Sequence, residues 1–254
     1  MIANYHTHTY LCHHASGEME DYVKTGIDRG LKILGFSDHV PIPFHNGFVS
    51  RCRMSVEETK LYADTVLSLK EKYKDHIQIL LGFEAEYYPR EFEGMMRLLT
   101  SFPTDYLILG QHFTNNEYDG RGNMGLTTAK DLENLVDTYI TAMDLGVYSY
   151  IAHPDLLPYD GEFYDEQIRR MLRHCVLTNT PVEYNILGMA DGRFYPHPRF
   201  WELVKEEGAS VVIGCDAHQV NAVCNPETVS RAEREVASYG LQPLPTINLK
   251  TVKL

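Results

Sequence analysis

The chain starts with Met1-Ile-Ala-Asn-Tyr-His-Thr-His8, a short apolar run that leads directly into two histidines separated by one residue. Side chains at positions i and i+2 of a β-strand point to the same side, so His6 and His8 can bind one metal ion from a strand end. Such pairs also arise by chance on solvated surfaces, and the pair alone does not choose between these interpretations. A metal site needs further ligands, so the rest of the chain decides the matter.

Seven short apolar or β-branched runs predict buried strands. They cover residues 1–5, 32–37, 77–83, 106–110, 148–152, 181–185 and 210–214. The segments between them have helical spacing, and the predicted helices cover residues 19–29, 56–74, 91–100, 129–145, 165–177, 198–207 and 226–239. Gly30, Gly146 and Gly208 stand at predicted helix ends, where the left-handed backbone of a C-terminal cap favours glycine. Ser55-Val-Glu-Glu58 is a capping-box pattern at the start of the second helix.

This alternation of strands and helices requires a parallel sheet, because each helix carries the chain back across the sheet. A doubly wound open sheet and a closed barrel both satisfy the pattern. No GxGxxG sequence follows the first strand, so a dinucleotide-binding fold has no support. In either architecture, functional groups gather at the carboxyl ends of the strands.

Composition bounds the class of protein. The 254 residues, 44% of them hydrophobic, suffice for one large core, so we expect a single domain over residues 1–254. A formal net charge of -12 argues against a nucleic-acid partner. The sequence has neither a signal-peptide pattern nor an apolar segment of membrane-spanning length, and its five scattered cysteines indicate reduced thiols. We therefore expect a soluble cytoplasmic protein without a membrane partner, and its oligomeric state stays open.

Histidines and carboxylates concentrate at the carboxyl ends of the predicted strands. These ends carry His6 and His8, Ser37-Asp38-His39, Gly82-Phe-Glu84, Gly110-Gln-His112, Ala152-His153-Pro154 and Gly214-Cys-Asp216-Ala-His218, with His13 and His14 in the first loop. A buried structural histidine explains any one of these positions, but it does not explain six strand ends together. Imidazole nitrogens and carboxylate oxygens suit zinc, iron or manganese, and Glu84 can bridge two cations. The cluster predicts metal-dependent hydrolysis of a phosphate ester.

The same strand ends resemble those of the polymerase-and-histidinol-phosphatase (PHP) family of phosphoesterases over nearly the whole chain. The segments that carry this resemblance are His6-Thr-His8, Cys12-His-His14-Ala, Gly35-Phe-Ser-Asp-His39, Gly82-Phe-Glu84, Gln111-His112-Phe, Ala152-His153-Pro and Cys215-Asp216-Ala-His218. Four further segments look like the histidinol-phosphate phosphatase branch: residues 35–43, Arg53-Met54, Lys70-Glu-Lys-Tyr73 and Glu84-Ala-Glu-Tyr87. The resemblance implies an α/β fold, a distorted (β/α)7 TIM-like barrel with its metal site at the C-terminal ends of the strands.

The resemblance also implies three divalent transition-metal ions, zinc, iron or manganese, held by nine residues. One ion would be held by His6, His8, Glu84 and Asp216, a second by Glu84, His112 and His153, and the third by His14, His39 and His218. Geometry alone does not separate His14 from His13. His14 is preferred because its spacing from the first pair matches the family.

The reaction implied by the resemblance is hydrolysis of L-histidinol phosphate to L-histidinol and phosphate, in histidine biosynthesis. A hydroxide bridging the metal ions would attack phosphorus, so the metal-holding carboxylates Glu84 and Asp216 count as catalytic. His218 or His39 would assist proton transfer to the leaving alkoxide, and His14 would also meet the phosphate. The partner is then a small-molecule phosphate ester.

One stretch departs from the branch. Many branch members carry an arginine shortly after an Asn-containing sixth strand, whereas here the segment 183–188 runs into Met189-Ala-Asp191. Arg193 follows and can bind phosphate through a longer loop, with a solvated loop arginine as the equal alternative. Arg53 and Arg121 are further candidates for substrate contact, although surface charge explains such loop arginines more often. Two other functions therefore stay open: a PHP-type phosphoesterase acting on phosphotyrosine or another small phosphate ester, and a non-catalytic metal-binding module.

Residues beside the predicted ligands have two interpretations each. Asp38 either orients a ligand imidazole or serves packing and capping. Four aromatic side chains either wall the substrate pocket or pack in the core; these are Tyr87, Tyr88, Phe113 and Tyr118. Small-residue packing is the expected role of Cys12 and Cys215. The remaining histidines are expected to be ordinary, namely His45, His76, His174 and His197.

Overall fold

Within residues 1–118, 120, 122–158 and 160–253, which the computed structural model describes, seven strands join in one sheet in chain order. The strands are β1 Ala3–Asn4, β2 Ile33–His39, β3 Gln78–Ala85, β4 Tyr106–Leu109, β5 Tyr148–Ile151, β6 Val182–Asn185 and β7 Val211–Gly214. The helices are α1 Met19–Asp28, α2 Thr59–Lys72, α3 Phe92–Leu99, α4 Ala129–Asp144, α5 Tyr164–Thr178, α6 Ile186–Ala190, α7 Pro198–Glu207 and α8 Pro226–Ser238. Short 3₁₀ turns cover Tyr10–Cys12, Asn123–Gly125 and Val220–Ala222.

The sheet closes on itself just beyond β1 and β7. Each neighbouring pair of strands is parallel, and an isolated parallel bridge joins Thr7 to Ala217. The His8 N–H donates to the Ala217 carbonyl over 3.0 Å, and the Ala217 N–H donates to the His6 carbonyl over 3.2 Å. The barrel is distorted, because β1 has only two residues and β5 pairs with β6 through a single residue pair. The predicted (β/α)7 barrel is confirmed.

The longest strand pairing places two predicted ligands side by side. β2 and β3 pair over seven positions, from Ile33 opposite Gln78 to His39 opposite Glu84. Both strands are buried almost throughout, as strands covered on both faces require. The sequence predicted strand ends at residues 37 and 83, whereas the strands extend through both ligands. Strand pairing therefore holds His39 and Glu84 rigidly.

Helix ends follow the sequence signals closely, with one exception. Gly30, Gly146 and Gly208 adopt left-handed φ values of 81°, 69° and 74°, as predicted. The capping-box hydrogen bonds also form: the Ser55 N–H donates to Glu58 Oε2 over 2.8 Å, and the Glu58 N–H donates to Ser55 Oγ over 3.3 Å. However, they close a turn that precedes α2, so the predicted helix start at residue 56 is three residues early. The sequence also missed the short helix α6, which starts where the Asn185 side chain accepts the Gly188 N–H.

Tyrosines fill the lower barrel interior, and the chain's last segment covers that end. The Tyr106 hydroxyl donates to the Tyr5 carbonyl over 2.6 Å, and its ring lies against Gly35 and Gly82. A Cβ at either glycine would lie 2.2 Å from a Tyr106 atom, so the close approach requires glycine. Leu244 donates its N–H to the Val211 carbonyl over 2.7 Å. This packing closes the end of the barrel opposite the predicted ligands.

In the described residues we find no helix with both the length and the apolar character that crossing a bilayer requires.

Candidate metal centre

The loop after β1 and the loop after β7 bring three potential ligand atoms together, and β3 adds a carboxylate. His6 Nε2 and His8 Nε2 are 3.1 Å apart, and both approach Asp216 Oδ1, at 3.4 and 3.2 Å. Glu84 lies on the other side, with its carboxylate oxygens 3.7 Å from His6 Nε2 and 3.5 Å from His8 Nε2. Two imidazoles and two carboxylates therefore face one point, which is the set predicted for the first ion.

The Glu84 carboxylate lies between this group and two others. Its Oε1 is 2.7 Å from His153 Nε2 and 3.6 Å from His112 Nε2. Its Oε2 is 2.9 Å from His39 Nδ1, on the opposite side. A carboxylate with different imidazoles at each oxygen has the arrangement that bridging two cations requires.

A third group lies next to His8 and consists of three imidazoles, those of His14, His39 and His218. The His218 ring stacks at 4.9 Å from the His14 ring and at 4.1 Å from the His8 ring, and the His14 and His39 rings are 5.3 Å apart. Carbonyl groups fix two of these rings, since His14 Nδ1 donates to Cys12 and His218 Nδ1 donates to Asp216. The Nε2 lone pairs are thereby left for a ligand. Cys12 Sγ lies within 4.8 Å of the ligand atoms of His14 and His218.

Buried carboxylates hold the ligand imidazoles, and the sequence anticipated only one of them. Glu183 Oε1 lies 2.8 Å from His6 Nδ1, and Asp38 Oδ1 lies 3.4 Å from His8 Nδ1. Asp38 therefore orients an imidazole, but that imidazole is His8, which follows β1, and not His39, the next residue in the chain. Such carboxylate–imidazole pairs fix the tautomer so that Nε2 faces a metal.

Glu86 is the third carboxylate at the ligands. Its Oε1 lies 3.4 Å from His112 Nδ1, and its Oε2 accepts the His112 N–H over 3.2 Å. Both missed residues are acids that lie two positions from another polar residue at a strand end. Glu86 follows the ligand candidate Glu84, and Glu183 precedes Asn185, whose amide it accepts. A buried acid at such a position needs a partner that compensates for its charge.

Electrostatics divide the site into charged and neutral groups. Although burial opposes ionisation, the surrounding imidazoles hold the pKa values of Glu84 and Asp216 well below their usual range. Burial lowers the pKa of His39 well below its usual value and that of His218 to about 4. At His6, burial acts in the same direction, but nearby carboxylates, Asp216 foremost, outweigh it and raise the pKa. A proton on His6 thus balances the negative charge of the buried carboxylates around it, and a cation bound there can replace that proton.

The donor set fits divalent cations. Once a cation displaces the imidazole protons, neutral His6 and His8 would direct their Nε2 lone pairs at it, because Glu183 and Asp38 lie at their Nδ1 atoms. Glu84 Oε2 and Asp216 Oδ1 are buried without a hydrogen-bond partner. Converging lone pairs and orphaned carboxylate oxygens are costly in a protein interior unless a cation accepts them.

Backbone geometry makes room for these carboxylates. A Cβ at Gly110 would lie 1.9 Å from Glu84 Oε1, and one at Gly214 would lie 1.8 Å from Glu183 Oε1. His153 and Asp216 adopt positive φ values of 29° and 49°, which are uncommon for residues with a side chain. The strand ends are therefore shaped around the carboxylates.

The metal-ligand candidates form the floor of a cavity of about 620 Å³. Eight of the nine line it, and His6 lies buried beneath them. Apolar side chains form part of the wall; these include Phe113, Met124, Leu156, Ile186 and Leu187. Arg193 also lines the cavity, with its Nη2 2.8 Å from Asp191 Oδ2 and its Nη1 3.0 Å from the Tyr195 hydroxyl.

The other candidates for substrate contact lie in different surroundings. Arg53 lines the cavity but is buried, and its guanidinium lies 2.8 Å from both Glu86 and Glu117. Arg121 is outside the described residues. Of the four aromatic candidates, Phe113 reaches the cavity, while Tyr88 hydrogen-bonds to Glu86 and Tyr118 packs against other aromatic rings.

The remaining histidines lie apart from the nine ligand candidates. His13 ends the 3₁₀ turn Tyr10–Cys12 in a left-handed conformation. His45 lies 2.5 Å from Glu91, and His174 lies 2.7 Å from Asp144. The structure brings together the nine predicted ligands, with His14 rather than His13 in the group.

A family model and two relatives of similar length match the chain. A PHP domain family model matches residues 4–186. A protein of Deinococcus radiodurans named probable histidinol-phosphatase is 26% identical over 231 residues, covering 87% of this chain and 88% of the relative. A protein of Schizosaccharomyces pombe with the same name is 26% identical over 242 residues, covering 84% of this chain and 79% of the relative.

A solved structure shares the fold. The crystal structure of histidinol phosphate phosphatase from Lactococcus lactis, complexed with zinc, L-histidinol and phosphate, superposes with a TM-score of 0.73 at 19% identity. The alignment covers 97% of this chain and 96% of the other.

Proposed function

Because the chain belongs to the PHP domain family, we propose that it is a metal-dependent phosphomonoesterase that hydrolyses L-histidinol phosphate to L-histidinol and phosphate. The observation that carries the proposal is the convergence of nine ligand candidates on the floor of one cavity, with Glu84 between the groups. Two relatives named probable histidinol-phosphatase align over most of both chains. The Lactococcus lactis phosphatase with the same fold binds zinc, L-histidinol and phosphate.

The proposed metal complement is three divalent ions, each in one ligand group. His6, His8, Glu84 and Asp216 would hold the first, Glu84, His112 and His153 the second, and His14, His39 and His218 the third. Divalent cations in such a site activate water as a nucleophile and neutralise the phosphoryl oxygens. The nitrogen and oxygen donors suit zinc, iron or manganese.

The protonation states of the imidazoles favour ligand roles. His39 and His218 have depressed pKa values, so both are neutral at pH 7, the form in which imidazole binds a cation. Proton transfer to the leaving oxygen by either residue is also part of the proposal; it needs the protonated imidazole and therefore competes with metal binding, so the pH dependence of kcat tests it.

Arg193 and Asp191 are the proposed substrate-binding pair at the cavity wall. Arg193 donates to Asp191 and to the Tyr195 hydroxyl, which hold its guanidinium at the cavity. Its fork of N–H donors matches phosphate oxygens. Asp191 offers a carboxylate to a cationic group, and histidinol phosphate carries an ammonium group beside its anionic phosphate.

The whole chain is proposed to act as one domain. The family match ends at residue 186, yet β6 and β7 belong to the same sheet, and Asp216 and His218 contribute to the same site. Five free cysteines agree with the proposed cytoplasmic location.

A substrate panel tests the proposal. Purified full-length protein, stripped with a chelator and reloaded with zinc, iron or manganese, is assayed for phosphate release from histidinol phosphate, phosphotyrosine and aryl phosphates. We expect the highest kcat/KM with histidinol phosphate and no turnover in the stripped protein. Arg193→Ala should raise KM more than it lowers kcat. The control is Arg231→Ala, at an exposed position of α8, which should change neither.

The outcomes separate substrate from chemistry. Faster turnover of another phosphate ester would contradict the histidinol phosphate assignment and leave the metal chemistry standing. Metal binding without hydrolysis of any panel member would contradict the enzyme assignment and favour a non-catalytic metal-binding module.

A further inference from the structure

Two buried cysteines that are not among the metal-ligand candidates lie side by side at the edge of the site. Cys215 Sγ and Cys224 Sγ are 3.7 Å apart, and the Cys224 N–H donates to Cys215 Sγ over 3.3 Å. The Met1 Sδ atom lies 3.2 Å from Cys224 Sγ and 3.9 Å from Cys215 Sγ. The two thiols therefore share one sulfur-lined pocket and are already in contact.

The spacing is short enough for covalent linkage. Disulfide-bonded sulfur atoms lie about 2.05 Å apart, so the two atoms need to approach by less than the width of one atom. Cys224 lies between the 3₁₀ turn Val220–Ala222 and α8, outside the strands. The other cysteines have different neighbours: Cys12 lies beside His14, Cys52 beside Ser50, and Cys175 beside Met143.

The cavity gives a small oxidant access to one thiol of the pair. Cys215, which is 1% exposed, is among the residues that line the cavity, whereas Cys224, which is 6% exposed, is not. A hydroperoxide as small as hydrogen peroxide has nearly the size of water and fits a cavity of about 620 Å³. The first oxidation is therefore expected at Cys215.

We propose that Cys215 and Cys224 form an oxidative modification site, which a hydroperoxide converts to a disulfide that weakens metal binding at Asp216. The Cys215 sulfur attacks one peroxide oxygen, the O–O bond breaks, and hydrogen peroxide leaves as one molecule of water, giving a sulfenic acid. The Cys224 sulfur then attacks the Cys215 sulfur, the S–O bond breaks, and the sulfenic oxygen leaves as a second water. Two thiols and one peroxide thus become one disulfide and two waters.

The effect on the metal centre follows from chain connectivity. Cys215 is joined by one peptide bond to Asp216, whose Oδ1 faces His6 and His8 and whose Oδ2 accepts the Asn185 amide over 3.1 Å. Drawing the Cys215 side chain toward Cys224 moves this peptide relative to the imidazoles. Displacing groups that orient a ligand typically lowers metal affinity by about tenfold or more.

The test uses full-length zinc-loaded protein, because zinc is not itself oxidised. The protein is treated with hydrogen peroxide, and the product is analysed by peptide mass mapping without reduction and by a zinc-affinity titration. We expect a cross-linked peptide pair containing Cys215 and Cys224, a fall in zinc affinity of about tenfold, and recovery of both after dithiothreitol.

Two variants and one control define the outcome. Cys224→Ser and Cys224→Ala should form no cross-link and should retain zinc affinity after peroxide. Cys175→Ser removes a buried thiol beside Met143 and should respond like the unmodified chain. Absence of the cross-link while Cys52 is oxidised, an equal loss of zinc affinity in the Cys224 variants, or a cross-link without loss of affinity would each overturn the proposal. Mass mapping detects the cross-link whichever phosphate ester the protein hydrolyses.

Discussion

The ligand imidazoles depend on buried carboxylates that are not themselves among the nine ligand candidates. Glu183 illustrates this, because it lies 2.8 Å from His6 Nδ1, accepts the His153 N–H over 3.0 Å and accepts the Asn185 amide over 2.9 Å. One buried side chain therefore orients two ligand candidates from different strands.

Glu183→Gln should weaken metal binding while leaving the fold intact. The amide keeps the shape but removes the charge that fixes the His6 tautomer, so zinc affinity is expected to fall by about 10–100-fold. Zinc titration by calorimetry measures the loss, and circular dichroism checks the fold. Glu202→Gln, on the exposed face of α7 beside Arg199, is the matched control. Unchanged zinc affinity in Glu183→Gln would contradict the orienting role.

Asp155 is a buried carboxylate whose charge opposes folding. Burial raises its pKa to about 6, although the His197 backbone N–H and the Trp201 indole donate to it over 2.7 and 3.1 Å. The unfolded chain loses this proton near pH 4, whereas the folded protein keeps it until about pH 6. The stability associated with Asp155 is therefore full only below the unfolded pKa, near pH 4, and is lost as the pH rises from there through 6.

Asp155→Asn should remove this pH dependence, because the amide keeps an acceptor oxygen and does not titrate. Relative to the variant, the unmodified protein should lose about 2 kcal/mol of unfolding free energy between pH 4 and pH 7. Urea unfolding of both metal-free proteins across this range measures the difference. A difference that stays constant with pH would show that Asp155 is ionised throughout.

At the scale of elements, glycines at strand ends create the space for site carboxylates. Gly110 follows β4, and a Cβ there would lie 1.9 Å from Glu84 Oε1 on the neighbouring β3. The neighbour is a functional carboxylate rather than a flexible surface chain, so a methyl group must displace it.

Gly110→Ala should therefore reduce activity and zinc affinity by about tenfold or more, since Glu84 contacts each imidazole group. Gly125→Ala is the matched control, because a Cβ at Gly125 meets no atom within 4 Å. Both variants are assayed for zinc stoichiometry and phosphate release. Normal zinc binding in Gly110→Ala would mean that Glu84 is not held against β4.

The elements that were predictable are those with strong local signals. Apolar runs located all seven strands, and Gly30, Gly146 and Gly208 marked three helix ends. The extension of β2 and β3 through His39 and Glu84 was not predicted, because polar residues look like loop residues until a neighbouring strand pairs with them. Helix α6 escaped detection because one turn of five residues has no periodicity.

The predicted ligands could be found because each lies at the carboxyl end of a strand or in the loop after it, whereas the carboxylates that orient them could not be assigned. Glu183 and Glu86 carry only a weak local signal, an acid two positions from another polar strand-end residue, and their partners His6 and His112 lie far away in sequence. The same holds for Arg53, which sequence reasoning placed in an exposed loop and which lies buried between Glu86 and Glu117. Long-range ion pairs become visible only once the barrel is closed.

For the whole molecule, barrel closure joins the two ends of the ligand series. The bridge between Thr7 and Ala217 sets His6 and His8 beside Asp216 and His218, more than two hundred residues later. A centre assembled this way binds metal only when β1 and β7 are in place, so metal binding and folding are coupled.

Anomalous diffraction from crystals grown with zinc tests whether the nine residues bind metal ions, because it locates the ions without reference to activity. The account predicts three peaks above the carboxyl ends of the strands: one among His6, His8, Glu84 and Asp216, one among Glu84, His112 and His153, and one among His14, His39 and His218. Zinc bound only elsewhere on the chain, or no ion in contact with Glu84, would contradict it.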